Sequence, residues 1–270
     1  MLWVDGSVVP EDAAVVRADD HGLVVGDGVF ETCKILDGQV FALSRHLRRL
    51  RMSAEVLGLS YDEDAVRAGV AAVTEGLTGL ARLRVTVTGG PAPYGSSRGT
   101  AGPTILVATA PWHGWDATAE VATVPWTRNE RAATAGIKTT SYADNVVALA
   151  RAREAGASEA ILANTRSELC EGTGSNVFLG VGGRLLTPPL DSGCLPGITR
   201  ELVIEWLGDV VEEPLPLAAL AEADEAFLAS STRDVQPIRT VDGRPLPAAP
   251  GPLTTHAMEV FMASSKEIDP

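Results

Sequence analysis

Lysine is nearly absent from this chain. Of its 22 basic residues only Lys34, Lys138 and Lys266 are lysine, and the rest are arginine. Arginine stays charged at ordinary pH, whereas a buried lysine amine can lose its proton and attack a carbonyl. A lysine kept among so many arginines is a candidate for chemistry that arginine cannot do. Cysteine is also sparse. Cys33, Cys170 and Cys194 are odd in number and widely spaced, which argues against a disulfide framework or a zinc site and for reduced thiols with no metal. Positive charge is in deficit, with a formal net charge of −13. That argues against nucleic acid or an anionic membrane as a general partner, because both need a basic face. It also means that an anionic ligand must be held by local donors. No apolar run reaches the ~18 residues of a membrane span. The N-terminus Met1–Gly6 has neither the basic start nor the apolar core of a signal peptide. The expectation is a soluble cytoplasmic protein without a membrane partner.

The 270 residues suffice for one large domain or two modest ones. Asp5-Gly6 and Asp37-Gly38 sit between short apolar runs and predict two hairpins, Leu2–Val4 with Val8–Val9 and Val29–Leu36 with Val40–Leu43. Leu47, Leu50, Ala54 and Leu57 then recur at helical spacing, with Ser44 as a cap and Gly58 as a stop. A second helix is predicted over 64–76, and strands over Arg82–Thr88 and Thr104–Ala110. Between those strands, 89–103 is a loop rich in Gly, Pro and Ser. Loops of that length commonly carry function.

After a connector the pattern resumes. It predicts a strand at Glu120–Val124 and a helix from Asp144 to Gly156. Strands follow near Glu159–Ala163, Asn176–Val181 and Arg184–Thr187, then a helix capped by Thr199. Short strands at Val210–Glu213 and Ala226–Ser230 precede a C-terminal helix over Thr254–Lys266, with an ordinary loop at Asp242-Gly243. The class is α+β, or mixed α/β. The division is an N-terminal domain over 1–110, a linker over 111–118 and a C-terminal domain over 119–270.

Lys138 lies in Ala135-Gly-Ile-Lys-Thr-Thr-Ser-Tyr142, an uncharged setting of small and β-branched residues. Taken alone it is either a surface lysine or a carbonyl-reactive amine. Glu171, among small residues in Glu171-Gly-Thr-Gly-Ser-Asn-Val-Phe178, is either a solvated strand-end carboxylate or a partner that keeps a ring nitrogen protonated. Leu195-Pro-Gly-Ile-Thr-Arg200 opens a helix. It is either a plain turn or an anion cup made of free N–H groups, which suits phosphate. Ser230 and Ser231 end a strand and could add hydroxyls to the same anion. Arg49, beside the apolar face of the first long helix, is either a flanking salt-bridge residue or a two-pronged phosphate grip. Together, a reactive lysine, an acid for a ring nitrogen and a phosphate cup describe a site for pyridoxal 5'-phosphate.

The order of these motifs resembles the class IV aminotransferase family, the fold-type IV pyridoxal phosphate enzymes. The resemblance runs from Gly26-Asp-Gly-Val-Phe-Glu-Thr32 through His46-Leu-Arg-Arg-Leu50, Lys138 and the Glu171 segment to Leu195–Arg200. It implies a smaller N-terminal and a larger C-terminal α/β domain, a homodimer and a small-molecule amino substrate. It implies that Lys138 bonds to the cofactor and moves the proton. Glu171 would then pair with the pyridine nitrogen and Leu195 pack under the ring, while Arg49, Ile198, Thr199, Ser231 and Ser230 hold the phosphate. Phe30, Thr32, Tyr94, Arg98 and Tyr142 are the implied substrate-facing residues. Thr139–Tyr142 lacks the Gly-Asn-Tyr run of branched-chain enzymes, and Gly89-Gly90 stands where D-amino acid transaminases carry arginine and histidine. The loop ending Arg98-Gly99 favours an aminodeoxychorismate lyase, forming 4-aminobenzoate and pyruvate in the folate pathway. The alternatives are a D-amino acid or branched-chain-like transaminase and, more distantly, a non-catalytic module that binds a phosphate ligand.

Overall fold

The computed structural model describes residues 1–13 and 15–270. The chain forms two compact units of mixed helix and sheet. Met1–Gly114, Ile137–Tyr142 and Ile268–Pro270 make the first, and Trp115–Gly136 with Ala143–Glu267 make the second. The Lys138 segment therefore packs with the first unit rather than with the residues that flank it in the chain.

The first unit contains strands β1 (Leu2–Val4), β2 (Ser7–Val9), β3 (Gly28–Leu36), β4 (Gln39–Val40), β5 (Leu80–Thr88) and β6 (Thr104–Pro111). Its helices are α1 (His21–Val24), α2 (Leu43–Leu57) and α3 (Glu63–Thr74). The strands run in the order β2-β1-β6-β5-β3-β4, and every pair is antiparallel. β3 and β5 pair along their whole length, from Gly28 opposite Thr88 to Leu36 opposite Leu80. Alternation along these strands sends Val29, Cys33, Ile35, Leu83, Val85 and Val87 into one core, beneath Leu47, Leu50 and Ala54 of α2 and Val66, Val70 and Val73 of α3. The opposite face of the sheet carries Phe30, Thr32, Lys34, Arg82, Arg84 and Thr86.

Two local expectations differ. The second hairpin strand is only Gln39–Val40, because Ala42 adopts a left-handed φ of 54° and α2 begins at Leu43. Ser44 therefore lies inside the first turn instead of capping it. Its N–H donates to Asp269 Oδ1 (2.9 Å) and its hydroxyl to Asp269 Oδ2 (2.5 Å), so a carboxylate from the far end of the chain does the capping.

The second unit contains strands β7 (Ala119–Arg128), β8 (Glu159–Asn164), β9 (Leu169–Gly172), β10 (Asn176–Val181), β11 (Arg184–Thr187), β12 (Val211–Glu212), β13 (Glu225–Ser230), β14 (Asp234–Val241) and β15 (Arg244–Pro245). Its helices are α4 (Ala143–Glu154), α5 (Ile198–Leu207), α6 (Ala219–Glu222) and α7 (Pro252–Ser264). The sheet order is β12-β11-β10-β13-β14-β7-β8-β9, with β15 paired to β14. Ile161, Leu169, Val177, Leu179, Leu228 and Ile238 fill its main core. On α4, Ala148 and Ala152 pack with Ala122, Val124, Ala160 and Leu162 of β7 and β8.

Two strands here escape a period-2 reading. β9 is short and buried on both faces, so it shows no alternation. β14 holds Pro237, which argues against a strand with neighbours on both sides. Asp242-Gly243 is not an ordinary loop but the turn of the β14–β15 hairpin, with both residues at positive φ. Gly197, not Thr199, holds the cap position of α5.

Candidate active site

In the first unit, Ile137–Tyr142 is laid against the start of β3. The Phe30 N–H donates to the Lys138 carbonyl (3.0 Å) and the Thr140 N–H to the Gly28 carbonyl (2.8 Å). The Thr140 and Ser141 hydroxyls both donate to the Gly26 carbonyl, at 2.8 and 2.9 Å. Gly28 has no room for a side chain, since a Cβ there would stand 2.8 Å from the Val87 carbonyl and 3.0 Å from Thr140 Oγ1. The Lys138 N–H donates to Ser53 Oγ of α2 (3.2 Å).

With its backbone fixed this way, Lys138 places Nζ 4.1 Å from the Phe30 ring centre and 3.5 Å from the Tyr142 hydroxyl. Phe30 and Tyr142 meet edge to face, with ring centres 5.1 Å apart. Lys138, Phe30 and Tyr142 thus form one group.

A residue missed by sequence reading joins this group. The Arg84 guanidinium lies 3.4 Å from the centre of the same Phe30 ring that Lys138 approaches. Its Nε–H donates to Thr86 Oγ1 (3.2 Å). Arg84 keeps open surface, yet the protein crowded around it desolvates the guanidinium and pushes it down to about 10. It therefore remains charged at neutral pH. The signal lies in the alternation of β5, which puts Arg84 opposite Thr32 on the face bearing Phe30.

Arg49 is buried on α2 and forks onto Glu31, Nε to Oε1 at 2.8 Å and Nη2 to Oε2 at 2.7 Å. His46 Nδ1 meets the same carboxylate at 2.7 Å. Burial opposes charge on Glu31, but Arg49 and then His46 overcome it and hold the carboxyl far below the usual range. Burial lowers His46, so its ring is neutral and Nδ1–H is the donor. Burial also works against the Arg49 charge, yet Glu31 raises its pKa. Neither Glu31 nor His46 was singled out from sequence.

Of the two loop candidates, Tyr94 is exposed and Arg98 is engaged. Arg98 donates to both oxygens of Asp27, at 2.6 Å each, and to the carbonyls of Leu57 (2.7 Å) and Gly58 (2.8 Å). This hydrogen bonding lowers Asp27. Thr32 is half-buried on the Phe30 face.

In the second unit, Glu171 sits on β9 with both oxygens engaged. Arg128 Nε stands 2.9 Å from Oε1, and the Leu195 N–H donates to Oε2 at 2.9 Å. Asn176 Nδ2 donates to the Leu195 carbonyl (2.9 Å). Next along the chain, Gly197 approaches Asn176 so closely that a Cβ would fall 1.9 Å from its Oδ1. Gly197 caps α5 without a side-chain bond, and Ile198 and Thr199 follow, both buried. Ser230 ends β13, and its hydroxyl accepts from the Arg233 N–H (3.3 Å), with Ser231 next in the turn. Burial pushes the Cys170 thiol up and the Cys194 thiol to about 11, so both stay protonated at neutral pH. No group of metal-ligating side chains occurs among the described residues. Nor does any helix among them have the length and apolarity to cross a membrane.

The profile of the family described as amino-transferase class IV matches residues 28–241. The chain belongs to that family. A Methanocaldococcus jannaschii protein provisionally named a branched-chain-amino-acid aminotransferase is 33% identical over 254 residues, covering 90% of this chain and 88% of that protein. The D-alanine aminotransferase of Bacillus licheniformis is 29% identical over 270 residues, covering 96% and 95%. Among solved structures, the Escherichia coli branched-chain amino acid aminotransferase superposes with a TM-score of 0.89 at 27% identity, covering 97% of this chain and 92% of that one.

As a class IV aminotransferase the protein is a pyridoxal-phosphate-dependent transaminase or lyase, which removes the non-catalytic binding module as an alternative. Each unit by itself offers groups of the kind the cofactor needs: the first an amine at Lys138, 3.5 Å from the Tyr142 hydroxyl, and the second a held carboxylate at Glu171 and, at Gly197–Thr199, a helix start without a side-chain cap where the glycine admits close approach.

Proposed function

We propose that this enzyme transfers an amino group between a 2-amino acid and a 2-oxo acid, and that Arg84 receives the substrate carboxylate. The observation that carries this reading is the Arg84–Phe30–Lys138 group. It sets a charged guanidinium 3.4 Å and an amine 4.1 Å from one aromatic ring. An arginine fork suits a carboxylate, and the amine is then near the substrate's α-carbon. The names of the three relatives, all aminotransferases, support the same reading.

Pyridoxal phosphate supplies an electron sink that acidifies the α C–H bond. The chain's own residues do the rest. Lys138 would hold the cofactor and carry the proton from and to the α-carbon. Glu171, held by the Leu195 N–H and Arg128, would pair with the ring nitrogen. Leu195 would pack against the ring. Ile198 and Thr199 would hold the phosphate at the start of α5, as would Ser231 and Ser230; Arg49, assigned to the same anion, has Nε and Nη2 committed to Glu31. Tyr142, 3.5 Å from Nζ, orients the amine.

The lyase reading uses the same lysine and the same proton route, and differs in what leaves. One comparison separates them. Purified holoenzyme is given branched-chain or D-amino acids with 2-oxoglutarate, and separately aminodeoxychorismate. Glutamate formation is expected. Formation of 4-aminobenzoate and pyruvate without glutamate would overturn the proposal in favour of the lyase. Arg84→Leu should raise KM for the amino acid about 10- to 100-fold, the equivalent of losing one charged hydrogen-bond contact, with the thermal midpoint unchanged.

A further inference from the structure

A buried ion pair in the second unit is used by none of these assignments. Glu159, at the start of β8, and Arg233, in the turn after β13, meet at 3.3 Å with side chains each 3% exposed. Two buried charges are costly unless hydrogen bonds occupy the rest of their valence; besides the Ala160 N–H, which donates to Glu159 Oε1 (3.1 Å), those bonds go to two particular places.

The first is the turn that follows Glu171. Glu159 Oε1 accepts from the Thr173 N–H (3.0 Å) and from the Thr173 hydroxyl, and Oε2 accepts from the Ser175 hydroxyl (3.1 Å). Gly172 leaves room for this, since a Cβ there would stand 2.4 Å from Ser175 Oγ and 3.2 Å from the Glu159 carboxyl carbon. The carboxylate is thus the inner template of the Gly172–Ser175 turn. Asn145 Nδ2 holds the same turn from outside through the Thr173 carbonyl (2.5 Å).

The second place is the end of β13. The Arg233 N–H donates to the Ser230 carbonyl (3.0 Å) and reaches the Ser230 hydroxyl (3.3 Å). The Arg233 guanidinium also donates to Gln236 Oε1 and lies 3.7 Å from the Trp115 ring centre. Trp115 Nε1 donates to Thr232 Oγ1 (3.2 Å), and Gln236 Nε2 donates to the Asp116 carbonyl (2.7 Å).

We propose that Arg233 is a positioning residue that ties the Glu171 turn to the Ser230–Ser231 turn, so that the carboxylate for the ring nitrogen and the hydroxyls for the phosphate keep one fixed spacing. This rests on the reading that those two segments hold pyridoxal phosphate. Arg233 touches neither the ring nor the substrate. It acts through Glu159 on one side and through its own backbone on the other. Lysine could keep the charge, but it would lose the fork that reaches Gln236 and Glu159 together and the flat stack on Trp115.

The test uses full-length holoenzyme, wild type against Arg233→Met, Arg233→Lys and the double variant Arg233→Met/Glu159→Gln. Three quantities are read: the affinity of apo-protein for pyridoxal phosphate, the position of the visible absorption band, and the thermal midpoint of apo-protein. Arg233→Met should weaken cofactor binding at least tenfold and shift the band, and Arg233→Lys should recover part of both. The double variant leaves no unpaired buried charge. It should regain apo-protein stability while its cofactor affinity stays low. Wild-type affinity and band position in all variants, with only the thermal midpoint lowered, would overturn the proposal and leave Arg233 a core brace. The underlying reading fails separately. In that case the wild-type protein itself would show no visible band, and borohydride would trap no cofactor on Lys138.

Discussion

At the residue scale, scarcity made Lys138 legible. Three lysines among 22 basic residues single out the one in an uncharged segment. Arg84 had no such mark. Its surroundings, Arg82-Leu-Arg-Val-Thr-Val87, read as a strand, and nothing local says that Phe30 and the Lys138 amine share its face. Glu31 was hidden for the same reason, because its partners Arg49 and His46 come from a helix further along the chain. Glu31→Gln should be strongly destabilising, by about 3–5 kcal/mol, because it breaks the buried fork between Arg49 and the Glu31 carboxylate. A denaturant titration would check this, and a shift of a few tenths of a kcal/mol would contradict the structural weight given to the triad.

The same triad sets a pH dependence whose sign follows from linkage. Burial lowers His46 in the folded state, so the unfolded chain binds more protons below the ordinary histidine value of about 6.5. Glu31 is also lowered, so its contribution is present above the ordinary carboxylate value of about 4.3 and is lost as pH falls further. Both act in one direction. The thermal midpoint should decline in acid in two stages, and His46→Gln should flatten the first stage and reduce the second without abolishing it, since Arg49 is the larger influence on Glu31.

At the scale of elements, hairpins and amphipathic helices were readable where one face is wet and one is dry. The β1–β2 and β3–β5 alternation and the α2 face are of that kind. β9 and β14 were not readable, since burial on both faces erases alternation and Pro237 counts against an inner strand. This matters for the site, because β9 carries Glu171. The start of α5 was readable in kind, but its cap is Gly197. Gly197→Ala places a methyl 1.9 Å from Asn176 Oδ1, so the α5 entrance must shift. Cofactor affinity should fall by an order of magnitude or more, read by fluorescence titration of apo-protein. Unchanged affinity would remove the α5 start from the phosphate assignment.

At the scale of the whole molecule, the net charge of −13 works against anionic substrates. A dicarboxylic 2-oxo acid should therefore gain in kcat/KM, a few-fold, as ionic strength rises from 10 to about 150 mM, because screening weakens the repulsion over a Debye length. A monocarboxylic 2-oxo acid should gain less. Steady-state rates across a salt series would decide it, and a steep loss with salt would mean that local cations such as Arg84 govern encounter. By itself the sequence determined the residue types and their order: a scarce lysine, a carboxylate among small residues and a glycine opening a helix. Those identify cofactor chemistry because few other uses need all three. The tertiary structure alone decided which side chains share a face. Pairing of β3 with β5 put Arg84 beside Phe30, and packing of Ile137–Tyr142 on β3 set the Lys138 amine against the same ring. Such groupings depend on long-range register, which local pattern does not encode.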